Sequence, residues 1–154
     1  MIEFYQAKKE NIDLLVKIRV RDLEMFSNQK IELETIKNIR RFYLNKLNDH
    51  SLITLLCYKN RELIGSGTIY FYDVIPSNIN SKGIMGQITN VYIDENYRHQ
   101  GIGTMLIGQL LELAQPRCNV VCLNSSKEAL KLYQKCGFEF KDRYMIKYID
   151  GNDG

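Results

Sequence analysis

The stretch Arg98-His99-Gln100-Gly101-Ile102-Gly103-Thr104 joins an apolar run, Gln87 to Ile93, to a long amphipathic segment. The amphipathic spacing predicts a helix that opens at this junction. At a helix start about four backbone N–H groups lack intrahelical partners, and the aligned peptide dipoles leave that end partly positive. Gly101 and Gly103 place no side chain between an anion and those amides, and Arg98 adds a fixed cation at the mouth. The chemistry open to such a junction is the holding of a pyrophosphate.

Two common phosphate-binding patterns do not fit. A P-loop ends in Gly-Lys-Ser/Thr, whereas Gly103 is followed by Thr104 and Met105, so the lysine that reaches the outer phosphates is missing. The dinucleotide fingerprint needs a third small residue where the helix packs on its strand, and that position is Leu106. What remains is Arg-x-x-Gly-x-Gly after Ile88-Thr89-Asn90-Val91-Tyr92-Ile93, with Ala129-Leu130-Lys131-Leu132-Tyr133-Gln134-Lys135-Cys136-Gly137-Phe138 downstream. In this order and separation, over residues 87 to 138, the two motifs resemble the signatures of the GNAT superfamily of acetyl-CoA-dependent N-acetyltransferases. The stretch from Phe42 through Tyr92 is similar to a branch of small bacterial members.

The resemblance implies an α+β fold: a central mixed, mostly antiparallel sheet with a splayed strand pair, flanked by about four helices. It implies pantetheine lying beside the strand like an added strand, with Val91, Tyr92 and Ile93 as backbone contacts and oxyanion donors. The pyrophosphate then falls to Arg98, His99, Gln100, Gly101, Ile102, Gly103 and Thr104. Seven residues before Tyr133, where the family often carries Asn, this chain has Ser126, with Asn124 two residues earlier. Either could bond pantetheine. Tyr133 matches the family tyrosine that donates a proton to the coenzyme thiolate; by spacing alone, Ala129, Leu132, Tyr133 and Cys136 also form a core stripe.

The activity implied is transfer of an acetyl group from acetyl-CoA to a primary amine of a small molecule, by direct attack in a ternary complex, without a metal or a covalent enzyme intermediate. Two other readings share the coenzyme loop. One is a protein or peptide N-acetyltransferase, which needs an open groove between the early helices and the Tyr144 region. The other is a sensor that binds acyl-CoA without turning it over. Asp22, Glu24, Glu32, Glu34, Asp73 and a water chain are the candidates for the general base, and Asn90 for positioning the amine.

Length and charge bound the rest. A chain of 154 residues suits one domain, taken as residues 1–150, with 151–154 as a disordered tail. The net charge of +3 is dispersed, with only Lys8-Lys9 and Arg40-Arg41 adjacent, which argues against a nucleic-acid footprint. The N-terminus meets charges before any run long enough for a signal or a membrane span, so the expectation is a cytoplasmic protein. The partner expected is a small-molecule amine, and a homodimer is allowed. Cys57, Cys118, Cys122 and Cys136 sit among apolar residues and read as core packing, not a zinc site. His50 and His99 fall in polar turns.

The elements that must position these residues follow from patterning. Strands are expected at Ile2 to Gln6, Ser51 to Tyr58, Leu63 to Tyr72, Gln87 to Ile93, Asn119 to Leu123, Phe138 to Phe140 and Tyr144 to Ile149. Helices are expected from Asn11 through Met25-Phe26, over Leu33 to Leu47, and after Gly103 with Met105, Leu106, Leu110 and Leu113 buried, stopping before Pro116. Ser125-Ser126-Lys127-Glu128 offers a capping box for a last helix ending at Gly137. Asp73 to Gly83 is a polar loop, either a flap over the substrate or a solvent hairpin loop.

Overall fold

A computed structural model describes residues 1–150, and in it a five-stranded sheet grows outward from a central hairpin. Strands β2 (Leu52–Lys59) and β3 (Glu62–Asp73) are joined through Asn60 and Arg61, which both take positive φ (51° and 65°). That pair of left-handed residues gives the turn whose twist matches antiparallel strands. Strand β1 (Ile2–Gln6) pairs antiparallel with β2, and β4 (Ile84–Ile93) pairs antiparallel with β3. Strand β5 (Val120–Leu123) alone runs parallel to its neighbour β4, giving the order β1-β2-β3-β4-β5. The mixed, mostly antiparallel sheet expected from the sequence is therefore present.

The chain divides into two compact units, Met1–Asn124 and the residues from Ser125 onward. The first holds the sheet and helices α1 (Ile12–Ser27), α2 (Leu33–Asn48) and α3 (Ile102–Ala114). Leu15, Val16 and Ile18 of α1 and Tyr43 of α2 pack with Leu52 and Leu56 in one core cluster. Helix α3 lies on the other face: a Cβ on Gly67 would meet Leu106 and Leu110 at 3.2 and 3.3 Å, while the next residue, Thr68, faces Tyr43. The apolar stripe of α3 is Ile102, Leu106, Ile107, Leu110 and Ala114, all buried; Met105, expected inside, is 45% exposed because it sits a quarter-turn off that stripe.

The β3–β4 loop closes on itself. Val74 N–H donates to the Gly83 carbonyl (2.9 Å), Ser77 bridges Asn80, and Asn80 Nδ2 donates to the Ile84 carbonyl (3.1 Å). Asp73 pairs with Ile84 at the start of β4. At about 3.3 Å per residue, Asp73 and this loop lie roughly 20 Å along the strand from Val91. The flap is thus a hairpin loop at the far end of β4.

In the second unit, α4 (Leu130–Lys135) is capped at its C-terminus by Gly137 at φ 94°, where Phe138 N–H reaches the Tyr133 carbonyl (3.0 Å). The expected helix stop is present, but the capping box is not. Ala129 is the N-cap and its N–H bonds the Ser126 carbonyl, so a turn over 126–129 occupies the place of the box. Phe138–Phe140 and Tyr144–Ile149 are not strands: their aromatic and aliphatic residues suit a strand, but they form no ladder, and Phe140, Tyr144, Met145 and Ile149 are exposed. The tail expected at 151–154 lies outside the described residues.

Candidate active site

The pairing of β4 with β5 runs only from Met85↔Val120 to Ile88↔Leu123. Strand β5 ends there, whereas β4 continues for five residues, Thr89 to Ile93, with its β5-side edge unpaired. Over the same stretch β4 is bulged against β3. Thr68 pairs with Thr89 and Ser66 with Tyr92, so two β4 residues, Asn90 and Val91, oppose Gly67 alone. A bulge of this kind bends the strand and re-aims the groups beside it. An open strand edge accepts an extended chain through backbone hydrogen bonds.

Asn90 takes φ 55°, a conformation that asparagine tolerates better than most side chains, and its amide is held on both sides. Its Oδ1 accepts from Arg19 Nη1 of α1 (2.7 Å), and its Nδ2 donates to the Tyr43 hydroxyl of α2 (3.0 Å). Tyr43 also bonds Thr68, whose hydroxyl meets that of Thr54 at 2.6 Å. Burial pushes the Tyr43 phenol above its ordinary value, with Arg19 and these bonds opposing, so it stays neutral. Three elements thus fix one bulge. Tyr43→Phe keeps the ring but strands a part-buried amide N–H, and we expect it to cost about 1–3 kcal/mol of stability by denaturant unfolding.

Beyond the bulge, Arg98 Nε donates to the Ile93 carbonyl (2.8 Å), so the guanidinium is tethered to the end of β4. A loop follows in which His99 is at φ 62° and Gly101 at φ 81°, both exposed. Gly101 is the N-cap of α3 and its carbonyl accepts the first helical bond from Met105. No side chain caps this terminus and no acid lies in its first turn, so the amides at Ile102, Gly103 and Thr104 have no intrahelical acceptor and the dipole is uncompensated. A Cβ on Gly101 would meet nothing within 4 Å. The space an anion needs is open.

A match to the model of the acetyltransferase (GNAT) family spans residues 17–138, most of the chain. The chain belongs to the GNAT acetyltransferase family. Its glucosamine 6-phosphate N-acetyltransferase relatives include one from Trypanosoma brucei brucei, 29% identical over 118 residues (75% of this chain, 74% of that protein). Another, from Dictyostelium discoideum, is 31% identical over 114 residues (72% and 71%). A crystal structure of a predicted acetyltransferase with acetyl-CoA from Clostridium acetobutylicum superposes with TM-score 0.89 at 29% identity, covering 100% of both chains. This acetyltransferase is an acyltransferase enzyme with acetyl-CoA as its co-substrate.

The residues singled out from sequence separate into two groups. Val91, Tyr92, Ile93, Arg98, His99, Gln100, Gly101, Ile102, Gly103 and Thr104 follow one another along the β4 edge and the start of α3. Asn124 is exposed one residue past β5, in the same unit. Ser126 and Tyr133 belong to the second unit, where Tyr133 is buried with its ring edge-on to Phe138 (5.9 Å). Of the acids, Glu24, Glu32, Glu34 and Asp73 are exposed, and Asp22 alone is buried. Burial raises the Asp22 carboxyl above the ordinary aspartate value, against Arg21 (3.8 Å) and Arg19, which pull it down. The cysteines divide as well. Cys57 and Cys118 are buried, as core packing requires, whereas Cys122 and Cys136 are half-buried, with the Cys122 sulfur 3.8 Å from the Tyr72 hydroxyl. No helix among the described residues is long and apolar enough to cross a membrane.

Arg19, Arg21 and Tyr43 carry no signal in the sequence as site residues. Each fits a helical pattern as an ordinary charge or core ring, and their partners lie 47 or more positions away.

The two loop glycines differ as test positions. Any side chain at Gly101 is strained by its φ, so a loss there mixes folding with binding. Gly103 lies within α3, where valine is no worse a helix former than glycine. We expect Gly103→Val to keep its unfolding midpoint and to weaken acetyl-CoA by about tenfold or more in calorimetry, the equivalent of one charge-assisted hydrogen bond. Arg98→Ala should weaken it less, with an effect that fades as salt rises.

Proposed function

We propose that the enzyme transfers the acetyl group of acetyl-CoA to a primary amine of a small molecule, within a ternary complex and without a covalent enzyme intermediate. The observation that carries this reading is the unpaired edge of β4, Thr89 to Ile93, followed after the connection over 94–101 by the uncapped start of α3. An extended pantetheine matches the first and a pyrophosphate the second. In this reading Val91, Tyr92 and Ile93 supply backbone contacts, the bulge aims an N–H near Val91 at the thioester oxygen, and residues 98–104 hold the phosphates. Asn124 and Ser126 are the candidates for side-chain bonds to pantetheine.

The amine nitrogen must be neutral to attack the carbonyl carbon. As the C–N bond forms and the C–S bond breaks, the amine sheds a proton and the departing sulfur gains one. We assign the first transfer to Asp22, the buried carboxylate among the acids considered, and the second to Tyr133, by its place in the family motif. The products are the N-acetylated amine and free coenzyme A. The small-molecule class is supported by relatives that bear the name glucosamine 6-phosphate N-acetyltransferase across about three-quarters of this chain. Residues 1–150 are taken as one acetyltransferase domain, since the family match runs on into the second unit.

The test is a coenzyme A release screen over amino sugars, amino-sugar phosphates, polyamines, amino acids and peptides, with acetyl-CoA binding measured in parallel. Turnover is expected with a small amine. Turnover with peptides only would overturn the substrate class, and tight acetyl-CoA binding without turnover of any amine would overturn the transferase mechanism.

A further inference from the structure

Three guanidinium groups converge on β4 between Asn90 and Ile93, and their partners leave their charges standing. Arg19 is part-buried and bonded through Nη1 to the neutral Oδ1 of Asn90; among the described residues no carboxylate comes within 4 Å of it. Arg21, two residues on in α1, lies over the Tyr92 ring with its guanidinium carbon 4.3 Å from the centroid. Arg98 approaches the same ring at 5.9 Å while its Nε is spent on the Ile93 carbonyl. The carboxylate nearest to these cations is Asp22, 3.8 Å from Arg21, a single acid at the outer reach of an ion pair against three cations. Like charges gathered around one ring repel, and an amide oxygen and an aromatic face fix their positions without neutralising them.

Arg98 lies on the path from β4 to the phosphate loop and is accounted for by the coenzyme. Arg19 and Arg21 are not: they come from α1, on the sheet face opposite α3. Arg21 is half-exposed, and the Tyr92 ring orients its planar fork before any ligand arrives. A pre-oriented fork is suited to bidentate binding of a phosphate or carboxylate.

We propose that Arg21, with Arg19 behind it, forms an anion-recognition subsite beside the β4 edge, and that the acceptor is an amine bearing its own phosphate or carboxylate. The proposal rests on the transferase reading and gives it a substrate class. Arg19 contributes long-range charge and, through Asn90, holds the bulge; Arg21 makes the contact. The anion thereby anchors the acceptor so that its amine meets the thioester next to Val91.

The experiment compares paired acceptors on the whole chain: D-glucosamine 6-phosphate against D-glucosamine, and O-phosphoethanolamine against ethanolamine. For the wild type, kcat/KM should favour the anionic member of at least one pair by about tenfold or more, and the preference should shrink with salt. Arg21→Gln should cut that preference by about tenfold, mainly by raising the acceptor KM, with the acetyl-CoA Kd unchanged. Arg21→Lys should restore part of it. A weakened acetyl-CoA Kd in Arg21→Gln, with the preference intact, would overturn the proposal and give these cations to the coenzyme; so would equal kcat/KM within both pairs. If no amine is acetylated, calorimetric binding of the two phosphorylated amines to the coenzyme A complex decides instead. Binding abolished by Arg21→Gln would support the subsite while the transferase reading fails, and no binding would overturn the subsite too.

Discussion

Tyr133→Phe should lower kcat by about ten- to a thousandfold while acetyl-CoA affinity stays within about twofold, in the range for loss of a general acid. Burial, with Cys136 beside it, raises the Tyr133 phenol above its ordinary value, so the hydroxyl stays protonated through the working range and is available as a donor. A free thiol titrates near pH 8.5, below such a phenol, so the proton moves only as the C–S bond breaks and negative charge collects on sulfur. That mismatch places the effect in the lower part of the range. The substitution retains the ring and its edge-on contact with Phe138, and the stability cost should not exceed about 1.5 kcal/mol. Steady-state kinetics with an acceptor from the screen, beside calorimetry with acetyl-CoA, supply the check. Wild-type kcat in the phenylalanine variant would remove Tyr133 from the chemistry and leave it a core residue.

What the sequence made legible was whatever is local and periodic. Strands β1 to β4 and helices α1 to α3 fall within a few residues of their patterns, since a period of two or of 3.6 is written in consecutive residues. Gly101 and Gly137 were readable for a related reason: each sits at positive φ at a helix end, where glycine is the residue least strained. The misses are long-range. Phe138–Phe140 and Tyr144–Ile149 carry the residue types of strands, but residue type does not say whether an edge is there to pair with. The Arg19–Asn90–Tyr43 bridge joins positions 71 and 47 residues apart, and only the sheet register decides that they meet. The acids show the same limit. Five carboxylates were equivalent candidates on the page, and burial distinguished Asp22 from the other four.

Asp22→Asn is expected to move activity and stability in opposite directions. To take the amine proton, as proposed, Asp22 must be ionised, and its loss should lower kcat/KM for the amine by about 10² to 10⁴ with acetyl-CoA binding retained. The wild-type profile of kcat/KM should rise through a pKa above the ordinary aspartate value, and that limb should vanish in the asparagine variant. Stability runs the other way. An acid whose folded pKa is raised binds more protons folded than unfolded, so the folded state loses stability as pH climbs from the unfolded aspartate value, near 3.8, through the raised folded one. Above that window the penalty is fully present. Asparagine cannot ionise and escapes it, although it also gives up the attraction to Arg21 and Arg19, which the net upward shift shows to be the smaller effect. Thermal unfolding at pH 7.5 should therefore give Asp22→Asn a midpoint equal to or above the wild type, with the difference shrinking toward pH 4. A variant that unfolds earlier than wild type at pH 7.5 and keeps its turnover would mean that the carboxylate is a structural partner of the α1 arginines, and the proton would then leave through water.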